Sequence, residues 1–459
     1  MVSAEPRPAG GIPGRGIIFR WVISRFVILL SAVAVLPFAA TELHAAGPAG
    51  MAGTMLPGLR AADRNPAMQV LEEPPAEFRT LRPLPVGLLG FTEPERNPLL
   101  YQTDRPAFRR QFDFLQFYQQ LSHPNTLLLN PGRSPDEVVV TVARDRVDVT
   151  DEDGNPLVFR EVAGSAARSV VATPLVPPPL ARFRVRRERT VAETGLFLGG
   201  GGHRLTPDRS LERAIDRGRL EAESSYRLIG SFGAEAGISQ SVTFLRPLYL
   251  PAIGEVTAAP RLVGFYSSAQ ARADAETTII TDERARPETV ETETEISYFY
   301  PGSGGGVGAR LDFGLVAERG NFIGGASVLN ILGASAYHGM RRSTEQGDEE
   351  EPYSERFIEP LPAWYLHGAW VLPLPGERAL VPAFDLGYLR TPLAHLGLTY
   401  RFRERFARAG VAWDGRPRAA LSYGMRAGRF SAEVVATVHE APFVGGPVYG
   451  VGFEFAVIR

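Results

Sequence analysis

The 459-residue sequence contains neither cysteine nor lysine; all 49 of its basic residues are arginine. Without cysteine there is no disulfide framework, thiolate zinc site, CxxC redox pair, cysteine nucleophile or lipoprotein anchor. Without lysine there is no phosphate loop of the Walker type, no Schiff-base enzyme and no protein kinase. Charge of one sign is also missing: 51 acidic residues nearly balance the arginines, for a net charge of −2. That balance gives no bulk electrostatic reason to expect a nucleic-acid partner. A mean hydropathy of −0.07 resembles that of an ordinary soluble protein.

Long apolar runs are also scarce. The only one, Phe26–Ala40, follows Arg15, Arg20 and Arg25 and precedes small residues at Ala45 and Ala46. Positive, apolar and small-residue regions in that order predict a signal peptide over 1–45. A membrane anchor is the competing reading, but the run contains Pro37 and falls short of the roughly 20 residues a spanning helix needs.

Residues 46–70 are rich in Gly, Ala and Pro, and 71–103 in Pro and Glu. Phe108, Phe112, Leu115, Tyr118 and Leu121 recur at helical spacing after Asp104, a candidate N-cap, although Phe112 and Phe114 also fit a strand. Alternating valines and Asp153-Gly154 predict a hairpin over 137–163. Its acidic turn fails as a calcium loop, because the first and last ligand positions would be Val149 and Arg160. A short helix is expected over Leu211–Arg219, capped by Asp208 or Ser210.

From about Tyr226 onward a period of two takes over. Leu311, Phe313 and Leu315 alternate with Arg310, Asp312 and Gly314; Leu421, Tyr423 and Met425 alternate with Ser422, Gly424 and Arg426. Leu380–Tyr388, Leu396–Phe402, Ala409–Trp413, Phe430–Val438 and Tyr449–Val457 show the same pattern. Seven such segments of about ten residues, with short connections after Leu396, match the spanning strands of a membrane barrel. A secreted β-sandwich also alternates. The aromatics near segment ends (Tyr400, Phe402, Trp413, Tyr449) and the Gly/Ala/Arg-rich opposite face favour the membrane. Asp274–Glu295 and Arg341–Glu355 are then expected as loops outside it. Pro382, inside a strand, calls for a bulge or a strand end.

Gly450-x-x-Phe453-x-Phe455 resembles the C-terminal assembly signal of bacterial outer-membrane barrels, though the chain continues to Arg459. As a whole the sequence resembles the FadL-type superfamily of outer-membrane transport proteins, and within it the TraF-like, conjugal-transfer branch. The residues that carry the likeness are Asn65-Pro66-Ala67, Gly308–Gly314, Val328–Gly333 and the strand run Leu380–Gly428. The resemblance implies an all-β, antiparallel transmembrane β-barrel of about 14 strands. It also implies a partly helical N-terminal hatch within the barrel, to which Asn65, Pro66 and Ala67 would belong. Further implications are a bacterial outer-membrane location after signal-peptide cleavage, surrounding outer-membrane lipid and insertion by the barrel assembly machinery.

Enzymatic chemistry finds little footing. There is no Gly-x-Ser-x-Gly elbow, and the seven histidines are scattered without ligand spacing. His439 could bond Glu433 or Glu454. Gly304-x-Gly306-x-x-Ala309 loosely fits a dinucleotide fingerprint, but a strand pattern follows where a helix is required, so Gly199–Gly202 and Gly302–Gly308 read as flexible turns. The acidic run Asp348–Glu351 reads as a solvated loop, with divalent-cation bridging to lipid as the alternative.

The inward face is the candidate site. Arg401, Arg403, Arg408, Arg418 and Arg426 fall on successive strands, with Asp312, Asp385, Glu433 and Glu454 on others. Such charges either pair into a stiffening ladder or guide an anionic head group.

The expected organisation is a signal peptide (1–45), a hatch segment (46–136), a hairpin-and-helix region that is an insertion or the first barrel strands (137–225), and the barrel (226–459). The expected function is passive passage of a small hydrophobic or amphipathic molecule. The chain would be no enzyme and would have no cofactor, no metal and no nucleic-acid partner. The alternative is a structural component of a conjugation or secretion machine, with the Val138–Val162 hairpin and long loops as contact surfaces.

Overall fold

The computed structural model describes residues 181–458 except 344–349, 359–361, 390, 414, 428–429 and 442–443. Earlier in the chain it describes 64–71, 77–78, 80–81, 126–133, 139–142, 147–157 and a few single positions. The expected signal peptide lies outside these residues, as does most of the helix expected over Asp104–Leu121. Of that stretch Gln116, Gln119 and Gln120 are helical, and Asp113 Oδ1 accepts the Gln116 N–H at 3.0 Å; Asp104 lies outside the described residues.

Five short strands come first: β1 (Glu77–Phe78), β2 (Thr80–Leu81), β3 (Thr126–Leu128), β4 (Val139–Val142) and β5 (Val147–Thr150). A meander follows, beginning with β6 (Ala181–Arg187), β7 (Thr190–Pro207), β8 (Ser225–Phe244), β9 (Arg246–Leu250) and β10 (Gly254–Thr281). Next are β11 (Pro287–Phe299), β12 (Gly305–Arg319), β13 (Phe322–Ser343), β14 (Glu350–Phe357), β15 (Ala363–Trp370) and β16 (Leu372–Leu374). The last six are β17 (Arg378–Leu389), β18 (Thr391–Phe402), β19 (Arg405–Trp413), β20 (Pro417–Ala427), β21 (Phe430–Glu440) and β22 (Pro447–Ile458).

Several of these are pieces of one strand. β8 and β9 lie end to end along β10, as do β11 and β12 on its other edge. β14 and β15 share β13, while β15 and β16 share β17. Joined in this way, β6 to β22 make thirteen antiparallel strands, each paired with its sequence neighbour. β6 and β22 then run the same way, so closure needs one more strand antiparallel to both. β1 and β2 supply it: Glu77 and Phe78 pair with Val185 and Arg184, and Thr80 and Leu81 with Ile458 and Val457. With these pairings the described strands count fourteen, consistent with a closed barrel. β3 pairs Gly450–Gly452 farther along the same edge of β22.

Among the described residues, one end of the barrel carries two- or three-residue turns: 188–189, 251–253, 320–321, 375–377 and 403–404. Most of the longer connections are at the other, including 208–224 with its helix Arg209–Arg217. Asp208 caps that helix by accepting the Leu211 N–H at 2.7 Å, and Gly218 closes it in the left-handed conformation.

Strand length is uneven. β18 and β19 have 12 and 9 residues, about the 9–11 a spanning strand needs, whereas β8, β13 and β10 have 20, 22 and 28. At the loop end β7, β8, β10, β11, β13 and β14 rise beyond the apolar belt as one wall. This corrects the expectation that Asp274–Glu295 and Arg341–Glu355 are loops. Both form hairpins in which Glu and Arg on the two faces erase the apolar period, while Thr277, Thr278, Ile279 and Val290 keep the β preference. The flexible-turn reading holds for Gly302, at φ 97. It fails for Gly305–Gly308, inside β12, and for Gly199–Gly202, which sit in β7 at a register shift.

Burial runs opposite to that of a water-soluble protein. Leu262, Leu332, Leu396, Leu421, Val434 and Phe453 are exposed, while Arg261, Asp312, Asp385, His395, Thr399 and Glu433 are buried. Among the described side chains, the parity expected for the seven alternating segments is the parity observed, with apolar residues outward. Exposed Trp364, Tyr388, Trp413 and Tyr449 mark the loop-end side of the belt; Trp370, Phe244 and Phe430 mark the turn-end side. An apolar band between two aromatic girdles over a polar interior is the pattern of a transmembrane β-barrel. By the registers on either side Pro382 stands opposite Trp370, where the ladder along β17 is interrupted between Ala369↔Ala383 and Leu372↔Leu380, so its missing N–H falls at a break in the pairing. Among the described residues, no helix is long and apolar enough to cross a membrane.

Candidate functional site in the barrel lumen

The chain enters the lumen at Arg64-Asn65-Pro66-Ala67 and forms a 3-10 turn over Pro66–Leu71. Asn65 is fully buried. Its Nδ2 donates to Leu315 O at 2.9 Å and approaches His367 Nε2 at 3.1 Å, while its Oδ1 accepts the Ala67 N–H at 2.9 Å. The wall makes room with glycine. A Cβ at inward Gly314 would lie 2.1 Å from Asn65 Oδ1, and one at Gly325 would lie 2.8 Å from its Nδ2. Met68 and Ala67 pack on Val191, Leu245, Ala259 and Val316. This turn therefore plugs part of the lumen.

Arg64 secures the front of the plug. Its Nη1 lies 3.4 Å from Asp385 Oδ2 and 3.1 Å from His395 Nδ1, and the Ser327 hydroxyl donates to its carbonyl at 2.6 Å. His395 Nδ1 also lies 3.5 Å from Asp385 Oδ2, so the arginine, the carboxylate and the imidazole form one cluster. Arg64 also sits over the Tyr365 ring, 5.7 Å from its centroid. Sequence reading missed Arg64, His367 and His395. The histidines come together from β15 and β18 across the sheet, so linear ligand spacing could not reveal them.

Asp312, on β12, is fully buried and bonds Arg261 at 2.8 Å and Arg310 at 3.4 Å. It also accepts the Asn330 N–H at 2.8 Å, from a residue held at φ 56 where β13 bulges. Farther round, Arg408 pairs with Glu433, whose other oxygen accepts from the Ser422 hydroxyl at 2.6 Å.

The expected arginine face is thus only partly one wall. Arg401, Arg408, Arg418 and Arg426 have inward parity on β18, β19 and β20, but Arg401 and Arg426 remain exposed. Arg403 does not belong to it: it occupies the β18–β19 turn at φ 53. Short antiparallel hairpins need a left-handed residue there, and alternation alone placed that turn one residue too late. Glu454 pairs with Glu433 in register, and its side chain lies outside the described residues. In the assembly-signal motif Phe453 is exposed outward and Gly450 is buried inward against Thr126; the Phe455 side chain is not described.

Above the plug, toward the loop end, five inward rings cluster: Phe197, Phe265, Phe299, Tyr337 and Tyr353. Phe299 and Tyr337 stack at 6.2 Å. Glycines on the wall let them lie flat, since a Cβ at Gly308 would come within 2.1 Å of Phe265 and one at Gly306 within 2.3 Å of Tyr337. Among the described residues no group of His, Asp and Glu is arranged to hold a metal.

No family model and no curated protein matches the chain. Among solved structures it is similar to the CymD monoaromatic hydrocarbon channel, at 10% identity, 61% of this chain, 81% of that chain and a TM-score of 0.30. It is similar to the Ralstonia pickettii toluene transporter TbuX at 9% identity, 60% and 79% coverage and a TM-score of 0.28. A mutant porin of Rh. blastica is covered over 99% of its length by half of this chain, at 8% identity and a TM-score of 0.20. Likeness of this degree says nothing of ligand or mechanism. Nothing found supports the TraF-like branch.

Proposed function

We propose that this barrel is a passive conduit for small hydrophobic or amphipathic molecules across the bacterial outer membrane. The observation that carries the reading is the filling of the lumen. A short N-terminal turn is bonded into one level of the channel, and a glycine-backed cluster of aromatic rings occupies the level nearer the loop end. A water-filled pore has no use for buried rings at its mouth, whereas a path that strips water from an apolar solute does. By the general rule that barrel turns face the periplasm and longer loops the outside, the ring cluster meets a solute first and the plug second.

In that arrangement the chain performs no covalent step. The rings exchange the solute's hydration for apolar contact, and displacement of Arg64–Leu71 opens the way inward. The tall polar wall formed by β7 to β14 favours a second reading, a contact surface in an envelope assembly. Proteoliposomes separate the two. The conduit reading expects faster efflux of a small aromatic solute than in protein-free vesicles, with little gain for a sugar of similar size. No gain for either solute leaves the assembly reading.

A further inference from the structure

Most inward acids have an arginine. Asp312 has Arg261 and Arg310, Asp385 has Arg64, Glu433 has Arg408, and Glu193 has Arg184 at 2.8 Å. Glu235 breaks the pattern. It is only 4% exposed, points inward from β8, and has no hydrogen bond or ion pair among the described residues. In register it stands between Gly199 on β7 and Gln270 on β10, and Gln270 in turn faces Phe299. Gln270 makes no hydrogen bond to it, and its Oε1 accepts from the Tyr353 hydroxyl at 3.4 Å. Ser267, fully buried on the same strand, also has an unpartnered hydroxyl.

A lone carboxylate buried among aromatic rings is unfavourable in the empty protein. The same arrangement is the chemistry that receives an organic cation: ring faces attract the positive charge and the carboxylate accepts its N–H bonds. We propose that Glu235, with Phe197, Phe265, Phe299, Tyr337 and Tyr353, forms a lumenal subsite for a primary ammonium ion bearing an apolar group. Ser267 supplies a further polar contact. The ligand provides the cation that arginine provides to the other acids. This subsite refines the conduit reading, on which it rests for its place along a path, and it selects amines over neutral or acidic solutes of equal size.

The test uses the full-length protein in detergent and two probes of one shape, 2-phenylethylammonium and 2-phenylethanol, with affinities measured by calorimetry. The wild type should bind the ammonium ion at least about 10-fold more tightly than the alcohol. In Glu235→Gln that preference should collapse to about one, with the alcohol little changed. Phe299→Leu, which keeps the acid, should weaken the ammonium ion by a few fold. Retained heat-modifiable mobility on a gel shows that each variant is folded. A wild type that shows no preference for the ammonium ion, or the same preference in Glu235→Gln as in wild type, overturns the subsite. Vesicle efflux is a separate arm: selective ammonium binding without solute flux leaves the subsite standing and removes the conduit.

Discussion

Asp312→Ala should destabilise the folded barrel by about 3–5 kcal/mol, because it strands Arg261 and Arg310 in a buried wall and leaves the bulged Asn330 N–H without its acceptor. The readout is the urea midpoint of the heat-modifiable band. Asp312→Asn should cost less than alanine, since an amide oxygen can still accept from Asn330. The double change Arg261→Met with Asp312→Leu should recover part of the loss, as replacing a buried ion pair by packed apolar groups often does. Equal midpoints for wild type and Asp312→Ala would show that the cluster does not hold β12 to β10 and β13.

Gly314→Val should expel the plug. There is no room for a Cβ there: Asn65 Oδ1 would be 2.1 Å away and Pro66 Cδ 2.9 Å. The plug, held by a handful of hydrogen bonds and a small apolar contact, can leave at lower cost than a fourteen-strand wall can deform. Two measurements follow the change independently. Trypsin should cut after Arg64 in the variant and spare that bond in the wild type, where Arg64 is tied to Asp385 and His395. Planar-bilayer conductance should rise above the wild-type level in the same protein. Unchanged protection of Arg64 with unchanged conductance would mean that the plug is not seated against Gly314.

Much of the barrel was legible because its code is local. Alternation along Leu396–Phe402 or Leu421–Met425 reports two environments, and each strand carries that report by itself. The average hydropathy hid it: a belt that faces lipid and an interior that holds Arg, Asp and His cancel to a value near zero. The tall wall was not legible, because above the belt both faces meet water and the period that marks a strand disappears. Pairing by β1 and β2 was invisible for a different reason. Four paired residues have no period, and only the parity of thirteen strands reveals that a fourteenth is needed.

The candidate site was legible in outline only. Asn65-Pro66-Ala67 and Asp312 stood out as residue types, and alternation put Asp385 and Glu433 on the inward face, where both are buried. The partners did not stand out. Arg64 meets Asp385 across 321 positions of sequence, and His367 reaches Asn65 across 302. Glu235 drew no notice because its distinction is the lack of an arginine beside it, a property of the folded wall and not of its neighbours in the chain.

The central claim, a barrel with lipid outside and charge inside, is tested most directly through the missing cysteine, since any introduced thiol is the only one in the protein. Single cysteines at positions 418 to 425 of β20 would each carry a nitroxide, with the protein in lipid bilayers. Collision with oxygen, which concentrates in the lipid, would be compared with collision with a polar nickel chelate. The account predicts oxygen maxima at 419, 421, 423 and 425 and minima at the positions between them. Nickel maxima at 421 and 423, or no alternation at all, would contradict it.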